Sequence, residues 1–164
     1  MPKLAELNAM DRVEFVRLVG PVFEHSPWVA ARTEAQRPFS SRETLHAALA
    51  GTVAKASDEE KVCLIRAHPD LIGDDELTAA SKSEQASARL QDATPEEAKQ
   101  FREFNRQYRE RFGFPFVICA RLNKKDAIAR AFPVRLRNAR EQEIETALQE
   151  ISKIAELRLK DLVQ

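Results

Sequence analysis

The sequence predicts an all-α fold of about seven or eight helices, in a single domain that spans residues 1–164. Glycine is scarce, with four residues in the whole chain and no two of them close together, which disfavours the tight hairpins of a sheet-rich protein. Helix-capping residues recur in front of apolar residues at helical spacing. A chain of 164 residues is also long enough to bury a core of its own.

The first half of the chain contains four predicted helix starts. Asp11 precedes valines spaced by three, and Ser26 is followed by a proline at the first helical position. Ser40 and Ser57 each stand three residues before a glutamate, which is the spacing of a capping box. Apolar residues at helical period follow, so these starts indicate amphipathic helices.

The second half predicts a long aromatic helix and two further helices. Thr94 is followed by a proline and, at the third position, by a glutamate, while Gly113 is well placed to end the helix. One stripe of this helix, which we expect to face the core, consists of Phe101, Phe104, Tyr108 and Phe112. Asn123 can cap the next helix, and the last one runs from about residue 140 to 162.

Residues 68–75 interrupt the helical pattern and contain the most promising histidine. Pro69 disfavours helical geometry at His68, so we expect a helix to end there and the imidazole to project from its C-terminus. The acidic residues that follow are Asp70, Asp74 and Asp75. The helix dipole and these carboxylates would favour the protonated imidazole, which makes a general acid or base possible. The alternative is a histidine that only caps the last helical carbonyls.

The other polar candidates have equally plausible structural interpretations. His25 is interpreted as a surface residue and His46 as a structural residue on a helix. In a helix, Ser81, Glu84 and Gln85 would share one face that could hold a hydrogen-bonding ligand, but Ser81 could equally be a helix cap with Glu84 as its partner. Arg158 lies within the apolar stripe of the last helix, so it either extends to the edge of that stripe or faces a buried anion.

The overall charge excludes little but argues against polyanionic partners. Basic and acidic residues number 26 each, so we expect neither a nucleic-acid nor a membrane partner. The basic stretch 121–140 is interpreted as a solvated face. Cys63 and Cys119 lie in apolar runs and are expected to be reduced core residues, with no metal site. Without a signal pattern or an apolar stretch of about 20 residues, the expected location is the cytoplasm.

Four segments, in this order and covering nearly the whole chain, resemble the 2-oxo-4-hydroxy-4-carboxy-5-ureidoimidazoline (OHCU) decarboxylase family. They are His68–Gly73 (HPDLIG), Ser81–Gln85 (SKSEQ), Phe112–Arg121 (FGFPFVICAR) and Ile154–Leu159 (IAELRL). Each motif is short and weak by itself, whereas the four together are specific. This chain departs from the family at Arg89, where members often carry glycine; the arginine adds bulk and charge near the expected site.

The resemblance implies a homodimeric all-α enzyme without metal or organic cofactor, which decarboxylates OHCU to (S)-allantoin at the last step of urate degradation. It implies a small-molecule substrate, with urate oxidase and hydroxyisourate hydrolase as the preceding enzymes. It further implies that His68 is the catalytic acid/base, that Glu84 orients it or shares its proton, and that Arg158 faces the anionic end of the substrate. The residues implied to line the substrate are Pro69, Ser81, Gln85, Phe116, Val117, Ile118, Cys119, Ala120 and Arg158, the stretch 116–120 through its main chain.

Two rival functions remain open at this point. One is a lyase or hydrolase that acts on a related ureido compound, which only substrate testing can separate. The other is a non-enzymatic helical interaction module, in which the polar groups near His68 would be scattered and solvated. A nucleic-acid binder is the least favoured, since Phe132 is the only aromatic residue interleaved with the basic residues of the stretch 121–140.

Overall fold

The computed structural model describes residues 1–73 and 76–164, and within these residues the all-α prediction is confirmed. The described chain forms nine α-helices and no β-strand: α1 (Leu4–Ala9), α2 (Arg12–Val19), α3 (Trp28–Thr33), α4 (Arg42–Ala54), α5 (Asp58–Arg66), α6 (Ala79–Ser87), α7 (Pro95–Phe112), α8 (Lys125–Leu136) and α9 (Arg140–Leu162). Short 3-10 helices lie at Gly20–Val22, Glu34–Gln36, Leu90–Asp92 and Ala120–Leu122. Asp74 and Asp75, part of the predicted acidic loop, lie outside the described residues.

The helix count exceeds the expected seven or eight because α1 and α3 have only 6 residues each, too few to show a repeating apolar stripe. The chain divides into two compact units, residues 1–67 with 152–164 and residues 68–151. A single domain over residues 1–164 therefore stays a prediction. No helix in the described ranges is long and apolar enough to span a membrane.

The first unit contains α1 to α5 and the C-terminal part of α9. Asp11 caps α2 through the Glu14 N–H, and Ser57 forms the predicted capping box of α5. The other two predicted caps are wrong by one residue. Ser41 rather than Ser40 caps α4, because Thr44 completes its box, and Pro27 rather than Ser26 precedes α3.

The histidines and cysteine of this unit are partly as expected. His25 is exposed and His46 is held by the carbonyl of Ser152, 2.9 Å from its Nε2, so both structural interpretations agree with the contacts. Cys63, expected in the core, is exposed on α5, because its side chain faces away from the buried Leu64 and Ile65.

The second unit is organised by α7, whose start at Thr94 and end at Gly113 are as predicted, with Gly113 at φ 80°. Phe101, Tyr108 and Phe112 are buried as predicted, whereas Phe104, the fourth residue of the predicted core stripe, is half-buried and stacks on Phe132. Phe132 on α8 stacks on Phe116, with ring centroids 3.8 Å apart. These aromatic rings fill the space between α7, α8 and the segment that follows Gly113.

One basic residue of the stretch 121–140 is not solvated as expected. Arg135 is 7% exposed and donates from Nε to Glu143 Oε1 at 2.8 Å. The Tyr108 hydroxyl donates to the same carboxylate at 2.6 Å. Burial of this guanidinium is possible because the fully buried Glu143 supplies the opposite charge. The predicted cap Asn123 is also wrong: α8 begins two residues later, at Lys125, and the Asn123 amide binds the Cys119 carbonyl instead.

The backbone at Arg89 shows why the resemblance led us to expect glycine at this position. Arg89 follows the end of α6 with φ 61° and ψ 33°, the left-handed conformation that glycine adopts without strain. Its side chain is 73% exposed and pairs with Asp92, so it points outward from the helix. The arginine side chain therefore lies in solvent, and the free-energy cost of having arginine here comes from the left-handed conformation of its backbone.

We expect Arg89→Gly to raise the free energy of unfolding by about 0.5–1 kcal/mol, since it relieves the left-handed strain and loses only an exposed ion pair. Arg102→Gly, the same substitution at an exposed position inside α7, is the matched control and should lower it by about 1 kcal/mol. Urea denaturation measures both. Destabilisation by Arg89→Gly would show that the strain argument is wrong.

Tyr108 predicts a loss of stability in alkali. Burial, together with its hydrogen bond to Glu143, raises the pKa of the phenol well above its ordinary value of 10.0. The unfolded chain then releases this proton at a lower pH than the folded chain does, so the contribution to stability is complete below pH 10 and is lost as the pH rises above it. Tyr108 is the chain's single tyrosine, so phenolate absorbance reports it alone. The absorbance should appear only with unfolding, whereas in denaturant it should titrate near the ordinary value; ionisation of the folded protein at that pH would contradict the assignment.

Candidate active site

His68 lies two residues beyond the end of α5 and is 6% exposed. The helix ends at Arg66, and the Ala67 N–H caps it by donating to the Cys63 carbonyl at 3.0 Å. This end is the one that Pro69 predicts. The imidazole is therefore buried close to the C-terminal end of α5.

The backbone after His68 is held by the side chain of Gln85 on α6. Gln85 Nε2 donates to the Asp70 carbonyl at 3.2 Å, and the Ile72 N–H donates to Gln85 Oε1 at 3.3 Å. Both ends of one amide thus bind the two sides of the same turn. Gln85, expected to line the substrate, therefore also fixes the histidine loop, residues 68–73.

Helix α7 holds the histidine loop from a second direction. Asn105 Nδ2 donates to the Leu71 carbonyl at 2.8 Å, and Arg109 Nε pairs with the Asp70 carboxylate at 2.9 Å. The turn itself is tight: Ile72 has φ 53°, and a Cβ at Gly73 would lie 2.9 Å from the Asp70 Cβ. Glycine is required there by this close approach.

Helix α6 presents the predicted polar face. Thr78 caps the helix through the Ser81 N–H, so the interpretation of Ser81 as the cap is wrong, and Ser81 lies inside the helix at 5% exposure. Glu84 and Gln85 are half-buried on the same face. The end of α6 is joined to the start of α8, where the Lys125 N–H donates to the Ala88 carbonyl at 3.2 Å.

The segment 116–120 lies beside α6, and several of its main-chain groups have partners within the protein. The Cys119 N–H donates to Glu150 Oε1 at 3.2 Å, and the Val117 carbonyl accepts from Arg135 Nη1 at 2.6 Å. Burial raises the pKa of the Cys119 thiol, and the charges of Glu150 and Glu84 act in the same direction. Cys119 is therefore a core thiol, and the negative charge of Glu84 contributes to its raised pKa.

Arg158 belongs to the first unit and faces a buried anion, which decides between its two interpretations. Its Nη2 donates to Glu24 Oε2 at 2.9 Å and its Nη1 to the Pro21 carbonyl at 3.1 Å. Arg158 is 8% and Glu24 2% exposed. The guanidinium is thus oriented by a carboxylate of the protein itself.

The second unit contains most of the predicted residues, namely His68, Pro69, Ser81, Glu84, Gln85 and the segment 116–120, whereas Arg158 lies in the first unit. Within the second unit, Gln85 contacts the histidine loop directly. Sequence reasoning missed the supporting residues Asn105, Arg135, Glu143 and Glu150. One signal was available for Asn105, since an amide within the apolar stripe of α7 breaks its pattern. In the described part of the chain, no three His, Cys, Asp or Glu side chains cluster as metal ligands would.

Comparison with known proteins identifies the family. A family model described as OHCU decarboxylase matches residues 8–160. The OHCU decarboxylase of Haloferax volcanii is 46% identical over 95% of this chain and 93% of its own length. The mouse (Mus musculus) protein of the same name is 39% identical over 98% of this chain and 92% of its own. A uric acid degradation bifunctional protein of a Bacillus species is 41% identical, and this chain covers 32% of it.

Two crystal structures have the same fold. That of an (S)-allantoin synthase superposes with a TM-score of 0.82 at 28% identity over 100% of this chain, which spans only 54% of that longer chain. That of an OHCU decarboxylase in the presence of (S)-allantoin superposes with a TM-score of 0.69 at 26% identity, over 82% of this chain and 89% of that one. The family match and the full-length relatives together show that this chain belongs to the OHCU decarboxylase family.

Proposed function

We propose that this protein decarboxylates OHCU to (S)-allantoin, the last step from urate to allantoin. The observation that carries the proposal is that the decarboxylase family match, residues 8–160, includes every residue of the candidate site. The relatives named for uric acid degradation support the pathway, and the related structure studied with (S)-allantoin supports the product. Family membership makes the chain a carboxy-lyase.

The substrate explains why side chains can suffice for this reaction. One ring carbon carries both a hydroxyl and a carboxylate, next to a C=N bond. When CO₂ leaves, its bonding electron pair moves into the C=N bond, so the substrate supplies the electron sink for which other decarboxylases need a cofactor. The hydroxyl loses its proton and becomes a carbonyl, the former imine nitrogen takes up one proton, and a second proton added to one face of the neighbouring carbon completes the net exchange of carboxylate for hydrogen. A fixed donor gives the (S) product, whereas solvent would give both forms.

Each candidate residue has a role in this scheme. His68 accepts the hydroxyl proton as CO₂ departs, and Glu84 orients the imidazole or shares its proton. Pro69, Ser81, Gln85 and the main chain of residues 116–120 hold the ring and the ureido arm. The buried position of His68 and the hydrogen bonds to its loop support the assignment, because acid–base catalysis requires a fixed distance to the substrate.

Arg158 orients the carboxylate of the substrate in this proposal. Decarboxylation disperses the charge of that carboxylate, so a guanidinium that stabilised it fully would slow the reaction. Glu24 already compensates the charge of Arg158, which tempers its attraction for the substrate. We also propose that the protein is a cytoplasmic homodimer that works without metal or cofactor, after urate oxidase and hydroxyisourate hydrolase.

The reaction can be followed by circular dichroism while urate is oxidised by those two enzymes. Adding this protein should produce a rapid (S)-allantoin signal, and His68→Asn should reduce the rate by about 10²–10⁴-fold. His25→Asn is the matched control: it makes the same substitution at an exposed histidine whose φ of 44° asparagine tolerates, and it should retain full activity. Failure of the folded wild-type protein to accelerate the reaction would favour a related ureido substrate or an interaction module.

The role of Arg158 requires a variant that does not leave Glu24 as an unpaired buried charge. The double variant Glu24→Gln/Arg158→Gln removes both charges together, so the fold should persist. We expect KM for OHCU to rise at least about tenfold, since the double variant loses a charge-assisted contact to the substrate. Glu156→Gln/Lys160→Gln, which removes an exposed ion pair of the same helix by the same substitutions, is the control and should leave KM unchanged. An unchanged KM in Glu24→Gln/Arg158→Gln would mean that Arg158 is structural.

A further inference from the structure

We infer that Asn105 is a positioning residue for His68, which it fixes through the backbone of the histidine loop. The catalytic part of this inference rests on the proposed function, whereas its structural part, that Asn105 sets the position of the imidazole, does not. Asn105 lies on α7, and its amide donates to the carbonyl of Leu71, three residues after His68.

The location of this hydrogen bond makes it effective. Asn105 is 5% and Leu71 6% exposed, so water does not compete for the Leu71 carbonyl. The Asn105–Leu71 hydrogen bond, at 2.8 Å, is shorter than the two hydrogen bonds from the loop to Gln85, at 3.2 and 3.3 Å. Gln85 binds the two flanks of the turn and Asn105 binds its middle, so the two amides fix the turn from different helices.

The oxygen of the Asn105 amide shows that packing alone does not explain an asparagine at this position. Asn105 Oδ1 is buried and has no hydrogen-bond partner among the described residues. An unpaired buried acceptor destabilises a fold, and Phe101 and Tyr108 flank this position on the apolar stripe of α7. A leucine of similar size would pack there without that penalty. The amide is therefore retained for the contact that its nitrogen makes with the loop.

Arg109 gives the same loop a weaker, exposed anchor. It lies one turn after Asn105 and pairs with the Asp70 carboxylate, with its side chain 42% exposed. Solvent screens this pair, so it contributes less than the buried amide does. The loop therefore has one strong and one weak attachment to α7, which allows a graded test.

The test compares kcat, KM and the melting temperature of Asn105→Leu, Arg109→Ala and Arg106→Ala. Asn105→Leu should lower kcat roughly 10–100-fold with KM nearly unchanged, because a small displacement of the acid/base is costly. Arg109→Ala should lower kcat by less than about tenfold. Arg106→Ala is the control and should match the wild type, because Arg106 is an exposed residue of the same helix that pairs with Glu103 and Glu110 on that helix.

Nuclear magnetic resonance of the imidazole rings gives a readout that does not depend on activity. The chain has three histidines, and the His68 signal is the one missing from His68→Asn. Asn105→Leu should shift that signal and leave those of His25 and His46 in place. Because leucine also removes the orphaned oxygen, the melting temperature should change by less than about 4 °C.

The outcomes separate this inference from the proposed function. A fall in stability with unchanged kcat and an unchanged His68 signal would overturn the inference, as would a rise in KM alone. If the wild-type protein does not act on OHCU but the His68 signal still shifts in Asn105→Leu, the proposed function fails while the positioning of His68 by Asn105 stands. Should Asn105→Leu fail to fold, Asn105→Ala decides, since it removes the same hydrogen bond to Leu71 with a smaller side chain: an unmoved His68 signal and unchanged kcat there would overturn the inference.

Discussion

The buried ion pair between Arg135 and Glu143 is the interaction on which the second unit depends. Neither charge could be buried alone, since removing one partner of such a pair costs roughly 3–5 kcal/mol. Arg135 also binds the Val117 carbonyl and lies 4.2 Å from the centre of the Phe116 ring. The pair thus fixes α8, the start of α9 and the extended segment between α7 and α8 together. The position of the main chain that is expected to line the substrate therefore depends on this buried ion pair.

The histidine loop shows how a short segment without regular structure can be made rigid. Its backbone groups bind Gln85 on α6 and Asn105 on α7, so two helices determine where it lies. Gly73 permits the close approach that the turn requires. Acid–base chemistry depends on distance before it depends on pKa, and loops carried on rigid helices provide that distance. Pro69 ends the helix before His68, whereas the position of the histidine loop is fixed by two residues far along the chain, Gln85 and Asn105.

Charge compensation recurs at Arg158, which Glu24 orients within the first unit. The backbone next to Glu24 is held in a tight turn: His25 adopts φ 44°, and the Ser26 hydroxyl donates to the Glu24 carbonyl at 2.8 Å. Strain of this kind persists only where surrounding contacts determine it. In both units, therefore, a buried arginine is held by a glutamate. Each arginine also donates to a backbone carbonyl, that of Pro21 for Arg158 and that of Val117 for Arg135.

The sequence by itself determined the helical class, the ends of α7, the break at His68 and the four motifs of the family, because each depends on local preferences of proline, glycine and capping residues or on order along the chain. It could not find the partners of buried polar groups. In the sequence, Arg135 is one of many basic residues of a stretch that predicts a solvated face, but in the fold it pairs with Glu143. Gln85 is expected only to contact the substrate, but in the fold it also binds the Asp70 carbonyl. The predicted caps Ser40 and Asn123 are wrong because Ser41 caps α4 and the Asn123 amide donates to the Cys119 carbonyl instead. Packing decides which donor and acceptor meet when they are more than ten residues apart in the sequence. Only the tertiary structure therefore showed which residues hold the site in place.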